Sequence, residues 1–293
     1  MKKFKNGIYH LYSACKPAWC NPIFDSRFAI RNNVVVALSK DHAFNLDFIP
    51  EGPITTATEK QIKKGLAGGN GYYYLEIEQE IIIAIGDVHG CIRALKELID
   101  KIKTRYDLNL VKLVFLGDYI DRGESSKQVV QYLIELRTEH PHFVFLMGNH
   151  EFELIKGSPL GLDTGESALL EYESEKLSEK HAEFFRFRLS HYFISMNFVF
   201  VHGGIPEGYS RAEEVHPSGL VWSYGTAKSY QGKKVICGHA ARPEIRESKN
   251  SICIDTGCYS SLYGKLTAVV LNDLTGEVVE YSQVINPTLK NSG

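Results

Sequence analysis

No hydrophobic run in this sequence approaches the roughly 18 residues that a membrane span needs; the longest, Ile81 to Ile85, is the length of a strand. Net charge is nearly absent too. Lys and Arg number 33 against 35 Asp and Glu, a formal charge of −2, so the chain has no general attraction for nucleic acid or anionic lipid. Neither a basic stripe nor interleaved aromatics offer a track for a nucleic-acid strand, and any phosphate recognition must be local. Cysteines are few for 293 residues: Cys15, Cys20, Cys91, Cys237, Cys253 and Cys258 cannot make a disulfide scaffold. Cys15 and Cys20 stand close together, but no second close pair completes a zinc site, and ordinary reduced thiols are expected. Polar residues Asn6, Tyr9, His10 and Tyr12 interrupt the stretch where a secretory signal would be apolar. The expected location is the cytoplasm.

What remains is globular composition, 44% hydrophobic and 23% charged, in a chain long enough for one large domain or two small ones. It divides near residue 79. Residues 1–78 carry Pro17, Pro22, Pro50 and Pro53, a turn-rich stretch from Gly65 to Gly71, and short apolar runs at Val34–Leu38 and Tyr72–Ile77 that read as strands. This segment is an N-terminal, β-rich extension whose role the residues do not disclose.

Residues 79–293 read as α/β. Ile81–Ile85 is continuously apolar and β-branched, as in a strand covered on both faces. A helix follows, with Ile92, Leu95, Leu98, Ile99 and Ile102 on one face, then a strand at Val111–Leu116. A second helix carries Val129, Val130, Leu133 and Ile134, and a third strand covers Phe143–Met147. The acidic stretch Asp163–Glu183 reads as an exposed helical insertion. Strands are expected again at Phe198–Val201, Val235–Cys237, Ile252–Ile254 and Leu266–Leu271, the last opening a hairpin around Asn272–Gly276.

Polar residues fall where those strands end. Gly86-Asp87-Val88-His89-Gly90, Gly117-Asp118-Tyr119-Ile120-Asp121-Arg122-Gly123 and Gly148-Asn149-His150-Glu151 follow the first three, and His202-Gly203-Gly204 and Gly238-His239-Ala240 the next two. A single strand-end Asp is commonly a helix cap or turn former. Five coincident motifs, each hemmed by glycine, instead gather Asp87, His89, Asp118, Asn149, His202 and His239 on one rim. Oxygen and imidazole donors without thiolates suit Mn, Fe or Zn. Six donors are too many for one ion with an open position and right for two sharing a carboxylate, the arrangement that clamps both oxygens of a phosphoryl displacement.

The series GDVHG, GDYIDRG, GNHE, HGG and GHA resembles the phosphoprotein phosphatase family of calcineurin-like metallophosphoesterases, the Ser/Thr phosphatase type. Gaps of 26 and 24 residues separate the first three motifs. The resemblance spans residues 79–284 and implies a central β-sandwich of mixed sheets flanked by helices. It also implies two divalent ions, manganese first, with iron or zinc as alternatives. Asp87 and His89 would hold one ion, Asp118 would bridge, and Asn149, His202 and His239 would hold the other. A metal-bridging hydroxide would attack phosphorus in line while His150, oriented by Asp121, protonated the leaving alkoxide. Arg122, with Asn149 and His150, would bind the phosphate, and Glu151 would support the site from behind. Ala241, two residues after His239, and the presence of His89 separate the chain from the purple acid phosphatase branch.

Asp121 and Glu151 favour a protein phosphatase, acting on phosphoserine, phosphothreonine or also phosphotyrosine in a protein or peptide. The tail Ile254-Asp255-Thr256-Gly257-Cys258 resembles the bacterial, tetraphosphatase-like subgroup, which makes a symmetrical dinucleoside tetraphosphate hydrolase the alternative. A catalytically dead scaffold is a third reading. One departure stands out: Leu220-Val221-Trp222-Ser223-Tyr224 lacks the second phosphate-binding arginine that the family supplies near this point, and Arg211 or Arg242 would have to replace it.

Overall fold

The computed structural model describes residues 7–14, 25–31, 34–37, 72–156, 179–224 and 230–288. The chain divides into two compact units, Met1–Ile81 with Asn109–Val111, and Ile82–Leu108 with Lys112–Gly293. The first unit contains an antiparallel sheet of β1 (Gly7–Ala14), β2 (Asp25–Arg31), β3 (Val34–Ala37) and β4 (Tyr72–Gln79), in the order β3-β2-β1-β4. The apolar runs at Val34 and Tyr72 are β3 and β4. Cys15 and Cys20 lie outside the described residues, as does most of the acidic stretch from Asp163, of which Glu179–Phe187 is helical.

The second unit is built on two five-stranded mixed sheets. One contains β5 (Ile81–Ile85), β6 (Lys112–Phe115), β7 (Val144–Phe145), β13 (Lys265–Asn272) and β14 (Glu277–Ile285), ordered β14-β13-β5-β6-β7. The other contains β8 (Tyr192–Ile194), β9 (Phe198–Val201), β10 (Lys234–Cys237), β11 (Arg246–Glu247) and β12 (Ser251–Cys253), ordered β11-β12-β10-β9-β8. Strands β5, β6 and β7 run parallel, as do β9, β10 and β12, while β8, β11 and β14 pair antiparallel at the edges. Ile82, Ala84, Val114, Leu116 and Leu146 from the first sheet meet Phe198, Phe200, Ile236, Ile252 and Ile254 from the second in one buried core. This is the sandwich that the motif series implies, with inner strands apolar because both faces are covered.

Among the described residues five α-helices flank the sheets: α1 (Ile92–Lys103), α2 (Ser126–Glu139), α3 (Asn149–Lys156), α4 (Glu179–Phe187) and α5 (Pro217–Trp222). On α1, buried Ile92, Leu95, Leu98, Ile99 and Ile102 recur at helical spacing. The Ser125 side chain caps α2 by accepting from Gln128 N–H at 3.3 Å. The third strand is shorter than the apolar run predicts. Beyond Val144–Phe145 the chain turns to a single bridge, Leu146 to Ser190, because Gly148 must begin the turn into α3.

Cys237 and Cys253 are directly opposed across β10 and β12 and form a disulfide, which corrects the expectation of reduced thiols for that pair; Cys91 and Cys258 are free and buried.

One buried carboxylate ties the hairpin turns of the two sheets. Asp273, after β13, accepts from Ser195 Oγ at 2.6 Å, Met196 N at 3.0 Å and Asn197 N at 2.9 Å, all in the turn between β8 and β9. Asp273→Ala strands those donors and should lower unfolding free energy by about 2–4 kcal/mol. Urea unfolding at matched metal content checks this, and a loss under about 0.5 kcal/mol would contradict the assigned role.

Candidate metal centre

All six donors expected from the sequence converge at the end of the sandwich. They come from both sheets: Asp87, His89 and Asp118 follow β5 and β6, Asn149 opens α3 after β7, and His202 and His239 follow β9 and β10. The rim is thus shared between the two sheets of the sandwich.

Asp118 is central. Its Oδ2 lies 3.4 Å from His89 Nε2 and its Oδ1 lies 3.3 Å from His202 Nε2, so the two oxygens face opposite clusters. One possible ligand group is His89, Asp118 and His150; the other is Asp118, His202 and His239. Asn149 Oδ1 joins the second, 3.0 Å from His202 Nε2 and 2.9 Å from His239 Nδ1. Asp87 belongs to neither tight group, yet its Oδ2 accepts from His239 N–H at 2.9 Å. Glycines let these carboxylates approach: a Cβ at Gly148 would lie 2.0 Å from Asp118 Oδ1, and one at Gly238 would lie 2.0 Å from Asp87 Oδ1.

The donor set fits divalent cations. His89 Nδ1 faces Ile120 O at 2.9 Å and His202 Nδ1 faces Leu116 O at 2.8 Å. Each contact places a proton on Nδ1 and turns Nε2 toward the centre, where its lone pair binds a cation once Nε2 carries no proton. Asp87 is 2% exposed, and its Oδ1 has no hydrogen-bond partner among the described residues. A buried carboxylate oxygen without a donor is costly unless a cation compensates it.

Electrostatics in the metal-free chain follow from this crowding. Burial and then Asp255 push Asp87 well above the usual carboxylate range. Burial opposes ionisation of Asp118 as well, but the charges of His202, His150 and His89 outweigh it and hold Asp118 low. Burial lowers His89 to about 3 and His239 to about 4, so both are neutral and ready to donate a lone pair. His202 differs: burial opposes its charge, yet Asp118 and Asp87 lift it to about 10. A cation binding at His202 Nε2 near pH 7.5 must therefore expel a proton. Metal titration calorimetry should show net proton release and an apparent affinity rising about tenfold per pH unit for each proton lost. Identical heats in buffers of different ionisation enthalpy would refute this.

His150 and Asp121 form a second layer of the site. His150 Nδ1 contacts Asp121 Oδ2 at 2.5 Å, which turns Nε2 inward to 3.9 Å from Asp118 Oδ2. Burial works against the imidazolium, but Asp118 and Asp121 outweigh it and raise the His150 pKa. Glu151 is fully buried, and its carboxylate accepts from the backbone N–H groups of Asp118, Tyr119, Ile120 and Gly148 at 2.7–3.2 Å. It pins the second motif against the third, although burial, with Asp118 beside it, lifts it to about 7.

Arg122 lies exposed at the rim. Its guanidinium stacks 4.5 Å from the Tyr259 ring centroid and donates from Nη1 to the Tyr259 hydroxyl. The same tyrosine meets the His89 ring edge-on at 5.0 Å. Of the two suggested replacements for the second arginine, Arg211 pairs with Glu213 at 3.6 Å, and Arg242 is exposed, with its backbone N–H donating to Asp255 O at 3.2 Å. The sequence reading missed Tyr259, which touches His89, and Asp255, whose charge bears on Asp87; it quoted Trp222 and Tyr224, which touch His239, only for the arginine their stretch lacks. Asp255 lies in plain view within the tail motif.

The calcineurin-like phosphoesterase family model matches residues 81–270, the span that holds all six donors and every strand of the two sheets except β14 and the end of β13. The chain belongs to the calcineurin-like phosphoesterase family. Similar proteins include the asymmetrical bis(5'-nucleosyl)-tetraphosphatase PrpE of Oceanobacillus iheyensis, 30% identical over 219 residues, with 63% of this chain and 86% of that protein covered. The symmetrical bis(5'-nucleosyl)-tetraphosphatase of Pseudomonas fluorescens is 31% identical over 125 residues, covering 42% of each. Two solved structures share the fold. A Saccharomyces cerevisiae protein serine/threonine phosphatase has a TM-score of 0.52 at 16% identity, covering 71% of this chain and 80% of its own. A cold-active protein-tyrosine phosphatase of a Shewanella species has a TM-score of 0.55 at 12% identity, covering 93% and 97%. As a phosphoesterase of this family the chain is a metal-dependent hydrolase. No helix among its described residues is long and apolar enough to cross a membrane.

Proposed function

We propose that this phosphoesterase hydrolyses phosphoric monoesters on proteins, with the His150–Asp121 pair as its general acid. Asp87 and His89 would hold one divalent cation, Asn149, His202 and His239 the second, with Asp118 between them. These cations would supply a water of lowered pKa and neutralise phosphate charge. Asp121 fixes the His150 tautomer from Nδ1, leaving Nε2 to deliver its proton to the departing oxygen as the P–O bond breaks. Arg122, stacked on the Tyr259 ring, would bind phosphate oxygens through its guanidinium.

The observation that carries the reading is that oriented, buried acid. A serine or threonine alkoxide is a poor leaving group and needs its proton, whereas a nucleotide leaves an anhydride as a phosphate that needs little help. The second reading, cleavage of dinucleoside polyphosphates with the same donors, is favoured by relatives near 30% identity that bear that name.

Turnover with Mn supplied, measured side by side on a phosphopeptide and on diadenosine tetraphosphate, tests the choice. Faster phosphopeptide turnover is expected. Faster tetraphosphate turnover would sink the monoester reading and keep the donor roles. No turnover of either, or of a generic aryl phosphate, would leave only the scaffold.

A further inference from the structure

Two aromatic side chains stand at the His239 side of the centre with no part in the chemistry above. The Tyr224 ring lies 4.6 Å from the His239 ring at 38°, and the Trp222 ring meets it edge-on at 5.8 Å and 88°. Both remain open to solvent, Trp222 by 37% and Tyr224 by 72%. Trp222 is firmly placed. Trp222 ends α5, whose Leu220 and Val221 are buried, and Leu220 O accepts from Gly203 N–H at 2.8 Å, fastening the helix to the turn that carries His202. Trp222 Nε1–H donates to Glu153 Oε1 on α3 at 3.4 Å.

From this we infer that Trp222 and Tyr224 form a shelf for a flat ring of the substrate, one ester oxygen from phosphorus, so that aryl monoesters such as the phosphotyrosyl side chain are preferred over alkyl ones. The inference rests on the monoester reading and names the substrate class within it. Large rings exposed beside a reacting centre supply contact area at little conformational cost, and they pair with other rings edge-on or offset. A ring face carries no positive charge, so the shelf grips the uncharged part of a substrate, while Arg122, stacked on Tyr259, meets the phosphate.

Reach selects among ring-bearing ligands. An aryl ester places its ring one bridging oxygen from phosphorus, and the shelf lies one ring contact from a donor histidine. A nucleobase stands farther off, beyond a ribose and the linking phosphate oxygens.

The test compares phenylphosphonate with methylphosphonate, which share the phosphoryl head and are not hydrolysed. Binding to the metal-loaded full chain is followed by calorimetry and by quenching of Trp222, one of two tryptophans. Phenylphosphonate should bind about tenfold tighter, an advantage that Tyr224→Ala reduces to within about twofold and Tyr224→Phe retains. On peptides differing only in phosphotyrosine or phosphoserine, the kcat/KM ratio should fall about tenfold in Tyr224→Ala. Metal content and thermal midpoint, measured alongside, show that the variant is folded, as expected for so exposed a side chain. Equal binding of the two phosphonates by the unaltered chain, or an equal loss of both in Tyr224→Ala, would overturn the shelf. Failure of the monoester reading shows elsewhere, as no turnover of either peptide by the unaltered chain, and the phosphonate comparison still decides the shelf.

Discussion

Asp118→Asn should leave a folded protein that has lost both its metal and its activity. The amide matches the carboxylate in shape, so the packing around Asp118 and the contact from His150 N–H to Oδ1 at 3.1 Å can survive. What disappears is the negative charge between His89 and His202, together with one of the two acceptor oxygens that face the two donor clusters. If one carboxylate serves both ions, neither cluster is complete without it. Metal content should drop from two ions per chain to one at most. Turnover should fall by on the order of 10³ or more, as expected when several kcal/mol of cation stabilisation are withdrawn from the transition state. Metal analysis after gel filtration, paired with turnover, decides the matter. Two ions retained per chain would remove Asp118 from the bridging role.

His150→Asn separates acid chemistry from metal binding. His150 is buried, wedged between Asp121 and the His89 ring 4.7 Å away, and is not among the six proposed ligands. Metal content should therefore hold while kcat on a phosphoserine or phosphothreonine peptide falls by roughly 10²–10⁴. The loss should shrink on p-nitrophenyl phosphate, whose leaving group departs without a proton. Equal losses on the alkyl and aryl substrates would contradict the acid assignment, and a matching fall in metal would recast His150 as a ligand.

Much of this was legible before any coordinates. Ile81–Ile85, Phe198–Val201 and Lys265–Asn272 announce themselves as strands because buried inner strands must be apolar on both faces. Donor positions were legible because glycine-flanked Asp, Asn and His recur at strand ends. Other features arise only in three dimensions. Edge strand β11 is two exposed, charged residues, Arg246 and Glu247, that are extended because β12 offers them partners. Nothing in the periodicity says that β9 and β10 belong to a different sheet from β5 and β6, since both sets are equally apolar. The opposition of Cys237 and Cys253 is a matter of register between neighbouring strands, and their 16-residue separation gives no hint of it. The same holds for the rings on His89 and His239, which the end of α5 and neighbouring loops deliver from elsewhere in the chain.

The backbone around the donors has a history written into it. Among the described residues, six non-glycine positions take a left-handed φ, and five of them are His89, Asp118, Asp121, Arg122 and His239. Side chains other than glycine enter that region at a cost of about 1–3 kcal/mol each. A chain selected for durability alone would have shed these residues for glycine, which reaches the same turn freely but offers no ligand, acid or cation. Their clustering at the rim sets backbone strain beside the proposed chemistry. On the roles proposed above, substitutions to glycine that ease the backbone at these positions would also remove activity, so a hardened variant of this chain would be an inert scaffold.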